Sequence, residues 1–242
     1  KPKGKQVVIF IAPPGAGKGT QADRLAEKFG PARPDDSGRS GGFFHLESSK
    51  VIEDKFASAS TDDMVIQQEI KNNRAGILND PKLVSEWMKE RIKQLADQGK
   101  GIVFSGSPRT LYEAEQLMPF IEGLYSRGNI KIFQIEISDE ESIKRNSARR
   151  MCKANRHPIP NLPEFQNITT CPQDGSELIH REDDQPERIK VRHQEFKNRT
   201  APVLQYLKDH DYGILHINGE QSIDKVTEDI LAYFQQPPRS PL

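Results

Sequence analysis

Cysteine, tryptophan and long apolar runs are all scarce in this 242-residue sequence, which contains two cysteines and one tryptophan. Two cysteines cannot form a disulfide framework, so we expect a chain of the reducing cytoplasm. The longest apolar run covers residues 7–12, far short of the ~20 residues that a membrane-spanning helix needs. This run is also too short for the core of a signal peptide. The sequence therefore predicts neither an integral membrane protein nor an exported one.

Net charge is absent as well, because 35 basic residues stand against 35 acidic ones. Without a surplus of basic side chains, no overall field would attract nucleic acid or an anionic membrane surface. We therefore expect neither of these as a partner. The length allows one large domain or two small ones.

Apolar, β-branched segments alternate with helical patterns along the chain, which predicts an α/β fold with a five-stranded, mostly parallel sheet and helices on both faces. The predicted strands are residues 6–12, 43–46, 101–105, 131–137 and 213–217. The clearest helices are residues 18–29, a helix that starts after Asp80 and ends before Gly99, and a helix that runs from Pro186 to Lys208.

Two segments stand apart from this alternation. Residues 30–42 are rich in glycine, proline, serine and charge, which is typical of a mobile surface loop. Residues 151–180 contain both cysteines and four of the 17 prolines, and they show little periodicity. The second segment is therefore predicted to be a small inserted subdomain.

A glycine-rich segment gives the strongest functional signal. The first predicted strand is followed by PPGAGKGT and then by a helix, which is the setting of a phosphate-binding loop. Glycines let backbone N–H groups approach phosphate oxygens, Lys18 supplies a point charge, and Thr20 offers a hydroxyl to Mg²⁺. Because Ala12 replaces the first glycine of the strict pattern and Gly19 precedes Thr20, the alternative is a turn that only starts a helix. The flanking strand and helix favour the phosphate-binding loop.

This loop and several later segments resemble the adenylate kinase family, in the correct order and over nearly the whole chain. The later segments are SPRT at residues 107–110, ESIKRNSARR at 141–150, and REDD at 181–184 with an arginine at 192. The resemblance implies a P-loop kinase that transfers the γ-phosphoryl group of ATP reversibly to AMP, with Mg²⁺ as cofactor. It also implies a cytoplasmic monomer whose partners are small-molecule nucleotides.

The resemblance further implies which residues bind the nucleotides. The ATP site would contain Gly15, Ala16, Gly17, Lys18, Gly19, Thr20 and Arg149. The AMP site would contain Ser48, Leu78, Gly106, Arg109, Glu113, Arg181 and Arg192. The catalytic cations would be Lys18, Arg109, Arg145, Arg149, Arg181 and Arg192. Phosphoryl transfer needs positioning and charge neutralisation rather than a covalent nucleophile, so converging cations suit it. The ordinary alternative for each arginine is a solvated or ion-paired surface residue.

Several positions depart from the family pattern. Ser105 stands where the family has an aspartate that helps to hold Mg²⁺, and Glu113 stands where a glutamine reads the acceptor adenine. The insertion at residues 30–42 is a further departure. Metal support is therefore expected to be weakened or supplied from elsewhere.

The acceptor-binding stretch also differs from the family. Ser48 or Ser49 takes the place of a threonine, and the usual arginine has no counterpart unless Lys50 or Lys55 supplies its charge. These changes bear on the acceptor more than on the type of reaction. AMP is the first expectation; the alternatives are another nucleoside monophosphate, or a nucleotide-binding sensor with impaired catalysis.

The two cysteines align with the lid that some family members close with zinc. Zinc needs four ligands in tetrahedral geometry, and Cys152, Cys171 and Asp174 are three candidates. Asn155 is a poor fourth ligand, whereas His157 could supply a nitrogen at a different spacing. The alternative is a metal-free lid held by hydrogen bonds and by apolar packing of Phe165, Ile168 and Leu178.

The resemblance predicts a single kinase domain in three parts. These are a core (residues 1–46, 80–150 and 181–242), a nucleoside-monophosphate-binding segment (47–79) and a lid (151–180). No Ser-His-Asp set is evident from the sequence. Five histidines are expected to be surface or structural groups: His45, His180, His193, His210 and His216.

Overall fold

The computed structural model describes residues 6–30, 42–155, 157–161, 163–180 and 184–235. Its strands are β1 (Val7–Ile11), β2 (Phe43–Leu46), β3 (Gly101–Phe104), β4 (Ile130–Glu136), β5 (Arg150–Cys152), β6 (Pro158–Ile159), β7 (Leu178–His180) and β8 (Ile214–Asn218). Its helices are α1 (Lys18–Phe29), α2 (Ser48–Ser58), α3 (Met64–Arg74), α4 (Pro81–Asp97), α5 (Leu111–Tyr125), α6 (Asp139–Ser147), α7 (Pro186–Glu195), α8 (Ala201–Asp209) and α9 (Ile223–Gln235). No helix in the described ranges is both long and apolar enough to cross a bilayer.

Two features named from the sequence fall outside these residues. One is the predicted loop at 30–42, at positions 31–41. The other is Arg181.

The centre of the fold is a five-stranded sheet in the order β2-β3-β1-β4-β8, with every pair of neighbours parallel. Ile9 of β1 pairs with Phe104 on one side and with Ile132 on the other. All five residues of β1 are buried, as expected for a central strand that helices cover on both faces. The predicted sheet is confirmed, and each predicted strand lies within one residue of the observed one.

Alternate side chains of β1 belong to two separate apolar clusters, one on each face of the sheet. Val7, Ile9 and Ile11 pack in a cluster that includes residues of α4, α5 and α8. Val8 and Phe10 pack in a second cluster with residues of α1 and α9. Full burial of each such side chain stabilises the fold by about 1.5–3 kcal/mol. The carboxyl end of β1 is therefore anchored from both sides.

The order of the strands places a crevice at this same end of β1. From β1 the sheet runs through β3 to β2 in one direction and through β4 to β8 in the other. In open parallel sheets, ligands bind at the carboxyl ends of the strands where the order reverses in this way. The phosphate-binding loop follows β1 and lies at this point.

Two smaller units flank the crevice. The predicted acceptor-binding segment contains α2 and α3, and α3 is capped by Asp63, whose side chain accepts from the N–H groups of Val65 and Ile66. The predicted lid contains an antiparallel sheet in the order β6-β5-β7. Its interior holds both cysteines and Ile159, packed against Phe165, Ile168 and Leu178.

The helix predicted from Pro186 to Lys208 is interrupted. A five-residue π-helical turn, Phe196–Thr200, separates α7 from α8. Pro202 lies in the first turn of α8, and its nitrogen has no hydrogen with which to continue the helical bonding. The Thr200 hydroxyl donates a hydrogen bond of 2.7 Å to the Arg109 carbonyl oxygen. The interruption thus connects this helix to the segment that carries Arg109.

Candidate active site

A cavity of about 1020 Å³ opens at the carboxyl ends of β1 and β3. Its wall is formed by the phosphate-binding loop, the start of α1, the segment after β3, and residues of α2, α6 and α7. Every nucleotide-binding and catalytic residue predicted from the sequence lines this cavity, apart from Arg181, which the structure does not describe. The fold therefore brings these residues together, and their individual roles remain predictions.

The phosphate-binding loop depends on two glycines. Gly15 and Gly17 have φ angles of 80° and 88°, in the left-handed region that favours glycine. A Cβ on Gly15 would also lie 2.6 Å from the Asn146 Nδ2 atom. Gly17 is the N-cap of α1, and no side chain caps that helix. The first N–H groups of α1 therefore remain available to an anion.

Lys18 is a perturbed cation of the cavity wall. Its Nζ atom donates to the carbonyl oxygens of Ala12, at 2.7 Å, and Pro13, at 3.0 Å. Burial in the first place holds the pKa of the Lys18 ammonium well below its ordinary value, and the positive charges of Arg109, Arg192 and Arg149 lower it further. Such a concentration of positive charge is unfavourable by itself and is relieved by a polyanion.

Two of these arginines share one carboxylate. Arg149 donates to Asp184 from Nε, at 2.9 Å, and from Nη2, at 2.7 Å. Arg192 donates to the same carboxylate at 3.4 Å. The sequence indicated Asp184 only as part of a motif and the start of a helix, because Arg149 lies 35 residues away. The structure shows that Asp184 orients both guanidinium groups.

Arg145 also lines the cavity, but it is paired within its own helix. Its Nε atom donates to Glu141 Oε1 at 2.7 Å. Lys144 donates to the other oxygen of Glu141 at 3.3 Å. An i,i+4 pair of this kind matches the ordinary alternative given for each arginine, and the catalytic role of Arg145 stays a prediction.

The predicted acceptor end centres on Ser48, Gly106 and Arg109. The Ser48 hydroxyl is buried and has no hydrogen-bond partner among the described residues. A Cβ on Gly106 would overlap the Ser48 oxygen and would lie 3.0 Å from Arg109 Nη2. Glycine at this position therefore allows the hydroxyl and the guanidinium group to approach one another at the cavity wall.

Glu113 is more deeply engaged than its predicted role in reading a base would suggest. Its carboxylate accepts from the Ser107 hydroxyl and from the Arg109 N–H, each at 3.0 Å. Burial raises the pKa of Glu113, while the Arg109 N–H acts in the opposite direction. Glu113 thus fixes the turn that carries Arg109. Leu78, at the same end, donates its N–H to Glu195 at 3.0 Å.

Two of the five histidines expected to be surface or structural groups, His45 and His193, each lie between an aspartate and a serine. His45 contacts Asp23 through Nδ1 and Ser105 through Nε2, at 2.6 Å each. His193 lies between Ser142, at 2.8 Å, and Asp139, at 3.4 Å. Both sets join residues that are distant in the sequence, so no local spacing pattern could have indicated them.

The lid brings four donor groups together. One ligand atom each from Cys152, His157, Cys171 and Asp174 lies within 4.8 Å of the other three. His157 Nδ1 is 3.4 Å from each sulfur atom. Asn155 instead donates its amide to Asp174 at 2.8 Å. The hydrogen bond from the Ser176 N–H lowers the pKa of the Asp174 carboxyl most, and the hydrogen bond from the Asn155 amide lowers it further. Both favour the ionised carboxylate.

Comparisons with known proteins agree with this geometry. A family model described as "Adenylate kinase" matches residues 10–212. An adenylate kinase of Haloarcula marismortui is 33% identical, with 92% of this chain and 94% of the relative covered. One of Staphylococcus epidermidis is 32% identical, with 93% of this chain and 96% of the relative covered. One of Methanothrix thermoacetophila is 30% identical, with 92% of this chain and 95% of the relative covered. This chain belongs to the adenylate kinase family.

Proposed function

We propose that this protein transfers the γ-phosphoryl group of ATP reversibly to a nucleoside monophosphate, with AMP as the acceptor. The observation that carries this proposal is the convergence of Lys18, Arg109, Arg149 and Arg192 at the mouth of the phosphate-binding loop. Phosphoryl transfer spreads negative charge over the transferring group, and preorganised cations stabilise that charge. The adenylate kinase family and the names of the relatives support the same reaction.

The triphosphate would bind at the start of α1. The N–H groups that follow Gly15 and the ammonium of Lys18 would hold its β- and γ-phosphates. On phosphate binding, Lys18 would exchange its two carbonyl partners for phosphate oxygens. Arg149 and Arg192, held by Asp184, would neutralise the transferring group. Each guanidinium group offers a planar set of donors that matches phosphate oxygens.

The cavity also contains oxygen atoms that could act as ligands of Mg²⁺, which prefers oxygen ligands and keeps several of its waters. The Thr20 hydroxyl, the Ser105 hydroxyl and the Asp23 carboxylate all line it. When bound, Mg²⁺ supplies charge neutralisation between the outer phosphates. Thr20 is the residue we assign to the ion directly.

The acceptor would bind on the opposite side of the cavity. Arg109 would hold the phosphate of the acceptor. The Ser48 hydroxyl, which has no hydrogen-bond partner among the described residues, would form one hydrogen bond with the acceptor. Gly106 leaves room for both, we place Leu78 along the base, and Glu113 would hold the turn that carries Arg109. Arg181, outside the described residues, is proposed to act with Arg192 as the family motif implies.

We propose that residues 151–180 form a lid, that residues 47–79 form the acceptor-binding segment, and that the rest forms the core. Closure of a lid over the nucleotides would exclude water, so that the phosphoryl group reaches the acceptor instead of being hydrolysed. We also propose a cytoplasmic monomer that acts on free nucleotides. The balanced net charge and the two free thiols support this setting.

An assay of ADP formed from ATP, Mg²⁺ and a panel of nucleoside monophosphates tests the proposal. We expect the largest kcat/KM with AMP, because the family and the relatives that this chain resembles are adenylate kinases. A higher kcat/KM with another nucleoside monophosphate would show that this nucleotide, and not AMP, is the acceptor. ATP binding without turnover of any acceptor would show a nucleotide sensor and contradict the proposal.

We further propose that the lid binds one zinc ion through Cys152, His157, Cys171 and Asp174. Two sulfurs, an imidazole nitrogen and a carboxylate oxygen form an ordinary tetrahedral set. Their mutual proximity supports this proposal. The three-stranded lid sheet has only a small apolar interior, so a metal would add stability that packing alone does not provide.

Metal analysis of the purified protein is expected to show about one zinc per chain. His157→Gln should lose the metal and lower Tm, because one of the four ligands is removed. His180→Gln is the matched control, since His180 is exposed at the end of β7 and should retain zinc. Asn155→Ala should also retain it. A metal-free wild-type protein, or zinc retained in His157→Gln, would contradict this ligand set.

A further inference from the structure

Three residues from three different elements form a continuous hydrogen-bonded chain in the wall of the nucleotide cavity. Asp23 lies on α1, His45 lies in β2, and Ser105 follows β3 directly. The Asp23 carboxylate is 2.6 Å from His45 Nδ1, and His45 Nε2 is 2.6 Å from the Ser105 hydroxyl. All three line the cavity that contains Lys18 and Thr20.

The direction of the hydrogen bonds follows from the chemistry of the ends. A carboxylate can only accept, so His45 Nδ1 carries the proton that faces Asp23. In the neutral ring Nε2 is then an acceptor, and the Ser105 hydroxyl donates to it. These two hydrogen bonds therefore hold the Asp23 carboxylate in a fixed orientation, through His45 and Ser105.

The position of Asp23 relative to the phosphate-binding loop is set by α1. Asp23 follows Thr20 by three residues in this helix, and residues at that spacing lie on the same side of a helix. The Asp23 side chain is 55% exposed, whereas that of His45 is only 16% exposed. A carboxylate thus faces the open cavity one turn after the hydroxyl that we assign to Mg²⁺.

The other cavity acids are differently engaged. Glu141 is paired with Arg145 and Lys144, Glu195 is paired with Arg199, and Glu113 is buried in the first turn of α5. The remaining acids of the wall are Glu47, Glu53 and Asp54, which lie at or in α2, on the acceptor side. Asp23 is the cavity acid that accompanies the triphosphate end.

P-loop enzymes of several classes support their Mg²⁺ with a loop hydroxyl and with an aspartate at the end of a neighbouring strand. In this chain the residue directly after β3 is Ser105, which carries no charge. We propose that Asp23 supplies the missing carboxylate from α1 and accepts a hydrogen bond from a water of the ATP-bound Mg²⁺, with His45 and Ser105 as positioning residues. This inference rests on the proposed function, because it requires ATP at the phosphate-binding loop.

The test compares two dissociation constants, for ATP in the presence of EDTA and for Mg²⁺·ATP, measured by calorimetric titration. Asp23→Asn keeps the oxygen that His45 contacts and removes only the charge. We expect Mg²⁺·ATP to bind about tenfold more weakly, which is the loss of one hydrogen bond to a charged group. Binding of metal-free ATP should be no weaker than in the wild type, because a negative charge that faces the phosphates is removed. A merely structural role of Asp23 would weaken both.

Three further variants complete the experiment. Glu27→Gln, an exposed acid one turn later on α1, is the matched control and should leave both constants unchanged. Ser105→Ala should weaken Mg²⁺·ATP by less than about threefold, because the Asp23–His45 contact persists. The double variant D23N/S105D restores a carboxylate at the strand end and should recover most of the lost Mg²⁺·ATP affinity.

Two outcomes would overturn the inference while leaving the kinase proposal intact. One is an unchanged Mg²⁺·ATP constant in Asp23→Asn, and the other is a Ser105→Ala effect as large as that of Asp23→Asn. In either case the wild-type protein would still form ADP from ATP and AMP. A wild-type protein that binds ATP neither with nor without Mg²⁺ would instead overturn the proposed function, and this inference with it.

Discussion

Lys18→Met is expected to lower kcat about 10³-fold and to leave the unliganded protein at least as stable as the wild type. The loss of rate follows because the Lys18 ammonium is the cation of the phosphate-binding loop itself, and single preorganised charges of this kind have effects of about 10²–10⁵ in related chemistry. Methionine keeps an unbranched apolar stem in the same half-buried position. The measurements are steady-state kinetics and thermal unfolding without ligand.

The stability of this variant should depend on pH with a definite sign. The pKa of Lys18 is lowered in the folded protein by burial and by Arg109, Arg192 and Arg149. Between that lowered pKa and the ordinary value of about 10.4, the unfolded chain binds more protons at this residue than the folded chain. Lys18 therefore makes the wild-type free energy of unfolding increase as pH rises through this window and decrease as pH falls through it. The advantage of Lys18→Met should therefore be largest at low pH and should shrink towards pH 10.

Lys28→Met is the control for these two measurements. Lys28 is an exposed residue in the last turn of α1, so both its rate and its unfolding free energy should match those of the wild type. A Lys18→Met variant that retains wild-type kcat would contradict the central role of the loop. One that unfolds at a much lower temperature would show that the Ala12 and Pro13 contacts outweigh the cost of the buried charge.

The parts of the fold that the sequence predicted well depend on local signals. β1 is a continuous apolar strand, and Gly15 and Gly17 adopt the positive φ angles that glycine permits. Asp80 caps α4 by accepting from the Lys82 N–H at 2.7 Å, as its place before Pro81 indicated. Each of these features involves residues within a few positions of one another.

The parts that could not be predicted depend on contacts between distant segments. His45 and Ser105 are 60 residues apart, and they meet because β2 and β3 are adjacent parallel strands. The π-helical turn before α8 combines the effect of Pro202 with a contact to Arg109, 91 residues away. In the lid, the sequence left Asn155 and His157 open as the fourth ligand, and the contact of His157 with the Cys171 sulfur, 14 residues away, decides between them. Spacing along the chain contains none of this information.

Asp184→Asn is expected to have the second largest effect, and on two properties together. The Asp184 side chain is 2% exposed, and its partners Arg149 and Arg192 are 21% and 25% exposed. Breaking a buried ion pair from one side costs about 3–5 kcal/mol, and the partial exposure of the arginines places this case near 3 kcal/mol. Denaturant unfolding measures that loss. Asp97→Asn, in an exposed i,i+4 pair with Lys93, is the matched control and should cost less than about 1 kcal/mol.

The same substitution should lower kcat about 10²-fold, because two guanidinium groups lose the contact that orients them, and small displacements of catalytic groups have effects of this size. ATP provides the means to separate orientation from stability. Phosphate oxygens bind the same two arginines, so saturating ATP should recover part of the lost Tm by mass action, while kcat stays low. If kcat, which is measured at saturating ATP, equalled that of the wild type, the arginines would need no positioning by Asp184. If the variant unfolded like the wild type, the shared carboxylate would contribute nothing measurable to the fold.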